Sequence, residues 1–298
     1  MTREPIIIEL CVGDLALGLV PAIGGSVAYF RSGTVDLMRP LSPEARQQGD
    51  IGGVSMFPMA PYANRIAGNK FTFGGRVWRF SANSRPEELN LHGTAWKSVW
   101  TVESWRATEA ILVLDHIAPE EPYSYGVTQH FLLTPQGFVV TISLINRGLL
   151  AMPFGFGHHP FFQRDPDVTV AFRAAQFWME GPDGVATDPI AMPPELDFAV
   201  ARTLPATWRN NDYGGWSGIA EIRFPSRRFG LRIAADPIFG HLMLYADPYK
   251  PYFCLEPQTN AVGAFNKIGQ GYEADLGVIV LQPGTSAEGS ISFVPFAL

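Results

Sequence analysis

Two short segments, far apart in the chain, carry the residue types that move protons. One reads Gly155-Phe156-Gly157-His158-His159-Pro160-Phe161-Phe162 and the other Cys254-Leu255-Glu256-Pro257-Gln258-Thr259. Each sets one titratable side chain, His159 or Glu256, directly before a proline in apolar surroundings. An imidazole can give up a proton near pH 7 and a carboxylate can take one, the pairing that acid–base chemistry on a polar substrate needs. Proline disfavours the α conformation in the residue before it, so His159 and Glu256 are expected in extended backbone. Successive residues of a strand point to opposite faces. His158 and His159 therefore cannot both face a cleft, and His159, restricted by Pro160, is the expected donor. A glutamate in an apolar strand is costly if buried without a partner. Glu256 thus reads as a base in a cleft or as one end of a buried ion pair.

Three further segments hold polar groups in apolar or glycine-rich settings. In Pro61-Tyr62-Ala63-Asn64-Arg65-Ile66 the guanidinium of Arg65 needs a partner, either a ligand oxygen or a buried acid. In Asn90-Leu91-His92-Gly93-Thr94-Ala95-Trp96 the glycine permits close backbone approach beside His92, though an ordinary turn histidine fits as well. The run Asn210-Asn211-Asp212-Tyr213-Gly214-Gly215-Trp216 offers an amide or a carboxylate beside a ring, or simply a β-turn. Metal-binding spacings such as His-Glu-x-x-His and Cys-x-x-Cys do not occur, so no metal is expected. The Gly-x-Ser-x-Gly elbow of serine hydrolases is missing too.

The elements that must hold these groups are mostly strands. The chain has 298 residues, 47% hydrophobic and only 17% charged, enough for one large buried core. Thirty glycines and 25 prolines punctuate it throughout, as many short strands and turns require. Strand patterns run through residues 6–10, 15–20, 27–30, 110–117, 126–134, 138–146, 168–172, 220–224, 229–234, 241–246 and 290–294. Gly74-Gly75 reads as a hairpin turn. Ser42-Pro43 and Gly49 bracket the one short helix expected. Residues 52–65 read as a buried irregular loop. These features predict one all-β antiparallel sandwich domain over residues 1–298. A net charge of −6 argues against a nucleic-acid surface. The two cysteines, Cys11 and Cys254, fit a reduced, cytoplasmic protein better than a disulfide-stapled one. The first 20 residues read as two strands and not as a signal peptide. No apolar run is long enough to span a membrane.

Taken in order, the segments resemble the aldose 1-epimerase (mutarotase) family. Asn64-Arg65-Ile66, Gly68-Asn69-Lys70-Phe71-Thr72-Phe73-Gly74-Gly75 and Asn90-Leu91-His92-Gly93 look like its N-terminal signature. His159-Pro160-Phe161-Phe162 and Glu256-Pro257-Gln258-Thr259 are similar to its later motifs. The resemblance implies a large antiparallel β-supersandwich, with Glu256 as general base and His159 as general acid. It also implies that Arg65, Asn64, His92 and Gln258 hold a monosaccharide. At the position where the family usually has an aspartate this chain has Asn210, with Asp212 as a shifted substitute. The family's later aspartate is also lost, in Val262-Gly263-Ala264-Phe265-Asn266.

The expected reaction is exchange of α and β anomers of a free aldose by ring opening. It has no redox step and calls for no cofactor. A carboxylate near His159 would raise its pKa and keep it protonated at rest, or the two would share a proton. Trp96, Phe161, Tyr213 and Trp216 are the expected sugar platform. A hexose-6-phosphate epimerase, using Arg65, Arg79, Arg85 and Lys97 for the phosphate, is the nearest alternative. A non-catalytic carbohydrate-binding sandwich and a lyase or hydrolase are more distant ones. The expected partner is a neutral hexose or pentose, and the protein a monomer or homodimer.

Overall fold

Period-two burial marks many strands of this protein, while others, such as Leu15–Val20 and Tyr252–Gln258, are buried almost throughout. In the strand Gly137–Asn146 buried and half-buried residues alternate, so one side of the sheet lies in the core and the other is wetter. The computed structural model describes residues 4–85, 88–118, 120–181 and 184–298. Among them, antiparallel strands assemble into one sheet of eleven strands and one of nine. The larger sheet runs from Ile8–Val12 at one edge to Ala186–Ile190 at the other. At its centre the order is Met56–Met59, Gly157–Gln163, Tyr252–Gln258, His241–Ala246, Arg209–Gly214, Gln176–Glu180. The sheets face each other across one core: Phe30 of the larger meets Phe138 of the smaller edge-on at 4.8 Å. No helix among the described residues is long and apolar enough to cross a membrane.

Local sequence explains the elements that were expected. Ser42 Oγ accepts the N–H of Ala45 and Gly49 closes the helix Pro43–Gln48 in the left-handed region. Gly74 and Gly75, both at positive φ, join Lys70–Phe73 to Arg76–Arg79. The stretch 52–65 differs from expectation, because its residues Met56–Met59 form a central strand paired to Gly157–Pro160. Pro58 hides this strand from a sequence reading, since proline donates no ladder bond. On its other side the strand is paired only through Met56 with Val27, so Pro58 breaks nothing there. The polar run at 210–214 is likewise a strand, Arg209–Gly214, and not a turn. Single helical turns at Ala264–Lys267 and Glu273–Leu276 carry no amphipathic period and were not legible.

Candidate active site

Parity decides which face each motif serves. His158 points between the sheets, fully buried, with Nε2 3.0 Å from Oε1 of Gln129 on the other sheet. His159, one residue on, lies on the opposite, outward face. Gly157 pairs with Gln258 and Phe161 with Cys254, so the register sets His159 opposite Glu256 between them. Pro160 and Pro257 lack an N–H, and the ladder is interrupted where they sit. Nε2 of His159 lies 3.2 Å from Oε1 of Glu256. The same register row continues through Met243 to Asp212 and Trp178, and on the other side to Phe57.

A second loop supplies His92. Asn64 and His92 both adopt left-handed backbone and brace one another. The N–H of Asn64 donates to Nδ1 of His92 at 2.9 Å, and the N–H of His92 donates to the carbonyl of Asn64 at 2.9 Å. An imidazole whose Nδ1 accepts a hydrogen bond carries its proton on Nε2. His92 is therefore a neutral donor standing edge-on to His159, with ring centroids 5.4 Å apart. Arg65 acts electrostatically on His92, His159 and Glu256, and its Nη1 donates to Oδ1 of Asn64 at 3.4 Å.

Burial sets the proton affinities. The carboxyl of Glu256, 2% exposed, is pushed up to about 8 by desolvation; Arg65 opposes the shift and Asp212 adds to it. Desolvation drives His159 down to about 3, with Arg39 and Arg65 pushing the same way. The imidazole packs on Phe57 and Phe161, each at 4.5 Å between centroids. The expectation that the carboxylate raises the histidine is thus reversed. Removing two charges from water outweighs their attraction, and the pair holds one proton without net charge.

Ligand atoms of His92, His159 and Glu256 lie within 4.8 Å of one another, close enough for a divalent cation. The His92 tautomer speaks against one. Nδ1 is occupied by the Asn64 N–H and Nε2 carries the proton, so neither nitrogen has a lone pair to offer.

The remaining expected residues reach the same face in different states. Gln258 is fully buried, and neither of its amide atoms has a protein partner among the described residues. Asp212 is engaged already: His241 Nδ1 lies 3.1 and 3.2 Å from its two oxygens, and Val262 N–H donates to it at 3.2 Å. Asn210 Nδ2 donates to Oε1 of Glu180 at 2.7 Å. Among the expected aromatics, Trp96 stacks on Phe57 at 5.2 Å and Phe161 on His159. Tyr213 and Trp216 are not platform rings. Tyr213 alternates to the core side, where its hydroxyl donates to the carbonyl of Leu196. Trp216 is buried with Nε1 donating to the carbonyl of Ile219.

Phe57, Arg39 and His241 were missed. Arg39 lies over Phe161 at 3.9 Å and over Tyr252 at 4.5 Å, while donating to the carbonyls of Gly52 and Val54. An isolated arginine or phenylalanine gives no sequence signal of such a role. His241 begins a strand two ladder steps from Asp212, a pairing visible only once register is known.

Comparison with known proteins agrees with this architecture. The family model described as aldose 1-epimerase matches residues 19–294. The uncharacterised protein YphB of Escherichia coli (strain K12) is 32% identical over 277 residues, covering 90% of this chain and 92% of YphB. A crystal structure of an aldose 1-epimerase homologue from Escherichia coli K12 superposes with a TM-score of 0.90 at 31% identity, covering 98% of this chain and 99% of that one. A galactose mutarotase-like protein from Clostridium acetobutylicum shares the fold, with a TM-score of 0.83 at 19% identity over 99% of both chains.

Proposed function

Since the chain belongs to the aldose 1-epimerase family, we propose that it interconverts the α and β anomers of a free aldose, with Glu256 as general base and His159 as general acid. The observation that carries this reading is the juxtaposition itself, with Nε2 of His159 3.2 Å from Oε1 of the buried Glu256 on the outward sheet face. Moving one proton from Glu256 to His159 leaves the net charge unchanged and gives a carboxylate beside an imidazolium. The carboxylate removes the proton of the C1 hydroxyl while the imidazolium protonates the ring oxygen, and the C1–ring oxygen bond breaks. Rotation about C1–C2 presents the other face of the aldehyde. The ring oxygen then returns its proton to His159, attacks C1, and the new C1 oxygen takes the proton from Glu256. Atoms and electrons balance, and the catalyst regains its starting state.

The neutral Nε2–H of His92 and the Arg65 guanidinium are donors for the ring or hydroxyl oxygens. The unpartnered amide of Gln258 is ready for a polar ligand. A phosphorylated sugar is less well served. Arg85 and Lys97 line one surface hollow and Arg79 a different one, apart from Arg65. Lys97 is also bonded to the carbonyl of Asn83. A non-catalytic sugar-binding module would have no use for two buried titratable groups in contact.

Anomer exchange followed by NMR or polarimetry on galactose, glucose, arabinose and xylose tests the proposal, with glucose 6-phosphate alongside. A positioned acid or base contributes roughly 10²–10⁴-fold. His159→Gln and Glu256→Gln should each lose about that much, and near-normal exchange in either variant refutes the assignment.

A further inference from the structure

A second polar strip lies on the same sheet face, and the ring-opening chemistry leaves it unused. Asn210 pairs with Tyr245, and Tyr245 with Cys254, two residues before Glu256. Crossing two strands at about 4.8 Å each and stepping two residues at about 3.4 Å each separates the Asn210 and Glu256 backbones by roughly 12 Å. Continuing the pairing of Trp178 with Asp212 by two residues brings Glu180 beside Asn210, one strand farther out, so its backbone lies roughly 16 Å from that of Glu256, a gap that one pyranose fills once both glutamate side chains reach in.

The carboxylate of Glu180 is held from two sides. Trp208 Nε1–H donates to Oε2 at 2.8 Å and Asn210 Nδ2–H to Oε1 at 2.7 Å. Neither donor is charged, so the group is immobilised without being neutralised. Each oxygen keeps acceptor capacity for another donor. Trp208 is 46% exposed and meets Tyr245 edge-on at 5.3 Å, giving the strip an aromatic wall open to solvent. A fixed acceptor beside exposed rings is what recognition of a sugar hydroxyl requires, and hydroxyl-to-carboxylate bonds are short and strong.

We propose that Glu180, fixed by Asn210 and Trp208, accepts the aldose hydroxyls on the side of the ring away from C1 and so selects sugars with free, uncharged hydroxyls there. The inference rests on the aldose reading above and names the specificity element of that site. A phosphate or carboxylate substituent at the same position would meet like charge.

The test is a cycle between protein and substrate. The aldose with the highest kcat/KM among galactose, glucose, arabinose and xylose is compared with its 3-deoxy and 4-deoxy analogues, on wild type and on Glu180→Gln. In the wild type, deleting at least one of these hydroxyls should lower kcat/KM tenfold or more. Glu180→Gln should lose tenfold or more on the parent sugar, mainly through KM, and deletion of the same hydroxyl should then cost less than threefold. Glu180→Asp, which retains the charge, should keep part of the coupling and serves if the amide variant does not fold. Equal deletion costs in wild type and variant overturn the assignment. Absence of exchange by the wild type on all four sugars overturns the epimerase reading as well, so the two failures are distinguishable.

Discussion

Replacing Glu256 by glutamine should stabilise the protein at alkaline pH while removing its activity. The folded carboxyl holds its proton up to about 8, whereas an ordinary solvated glutamate releases it near 4.5. Below 4.5 both folded and unfolded chains are protonated here, and the group contributes no difference. Between 4.5 and 8 the unfolded chain has released a proton that the folded chain retains, so stability falls as pH rises. Above 8 the full cost is present. At about 1.4 kcal/mol per pH unit, the span amounts to on the order of 5 kcal/mol. Glutamine keeps the shape and never ionises, so Glu256→Gln escapes this cost. Its advantage over wild type should be under about 1 kcal/mol at pH 5 and about 5 kcal/mol at pH 9. For a chain of this size that corresponds to a melting temperature roughly 8 °C higher at pH 9. Urea and thermal unfolding of both proteins at the two pH values measure it. An identical difference at pH 5 and pH 9 would show that Glu256 is not held protonated by burial, and the one-proton pair would fall with it.

Two further expectations concern the charges around that pair. The rate should follow a bell in pH, because the His159–Glu256 pair must hold one proton: kcat/KM should fall about tenfold per unit above about 8, as that proton is lost, and a flat profile from pH 6 to 10 would contradict it. Asp212→Asn strands His241, whose Nε2 donates to the carbonyl of Asp275 at 2.9 Å and whose Nδ1 faces the carboxylate, so that both nitrogens carry protons. Burial works against that imidazolium, but Asp212 prevails and its pKa is raised. The pair's stability is present below about 6.5 and lost as pH rises through the raised value. Asp212→Asn should therefore cost about 3–5 kcal/mol near pH 5.5 and less at pH 8.5 in urea unfolding. It should also move the alkaline limb of the rate profile to lower pH, since Asp212 helps to raise Glu256.

Much of this protein is written locally. The cap at Ser42, the glycines at 74 and 75 and the opposite facing of His158 and His159 follow from the chemistry of a few adjacent residues, and each is found in the fold. The order and spacing of the motifs gave the family and its antiparallel sandwich. Pro58 obscured a central strand, because a proline reads as a loop unless the neighbouring strand is known to end before it. Tyr213 and Trp216 sit in a polar, glycine-rich run that resembles a surface turn, yet strand parity and sheet position carry both rings inward.

Residue types, the prolines that follow them and strand parity determined that an imidazole and a carboxylate would stand on extended backbone and that two adjacent histidines would face opposite ways. Only the tertiary structure decided that they meet at 3.2 Å, that Phe57 and Phe161 wall the imidazole, and that Asp212 belongs to His241. It also decided the sign of the proton affinities. Attraction between two groups can be anticipated from their types, whereas the water excluded from both depends on every strand that covers them, and here that exclusion prevails.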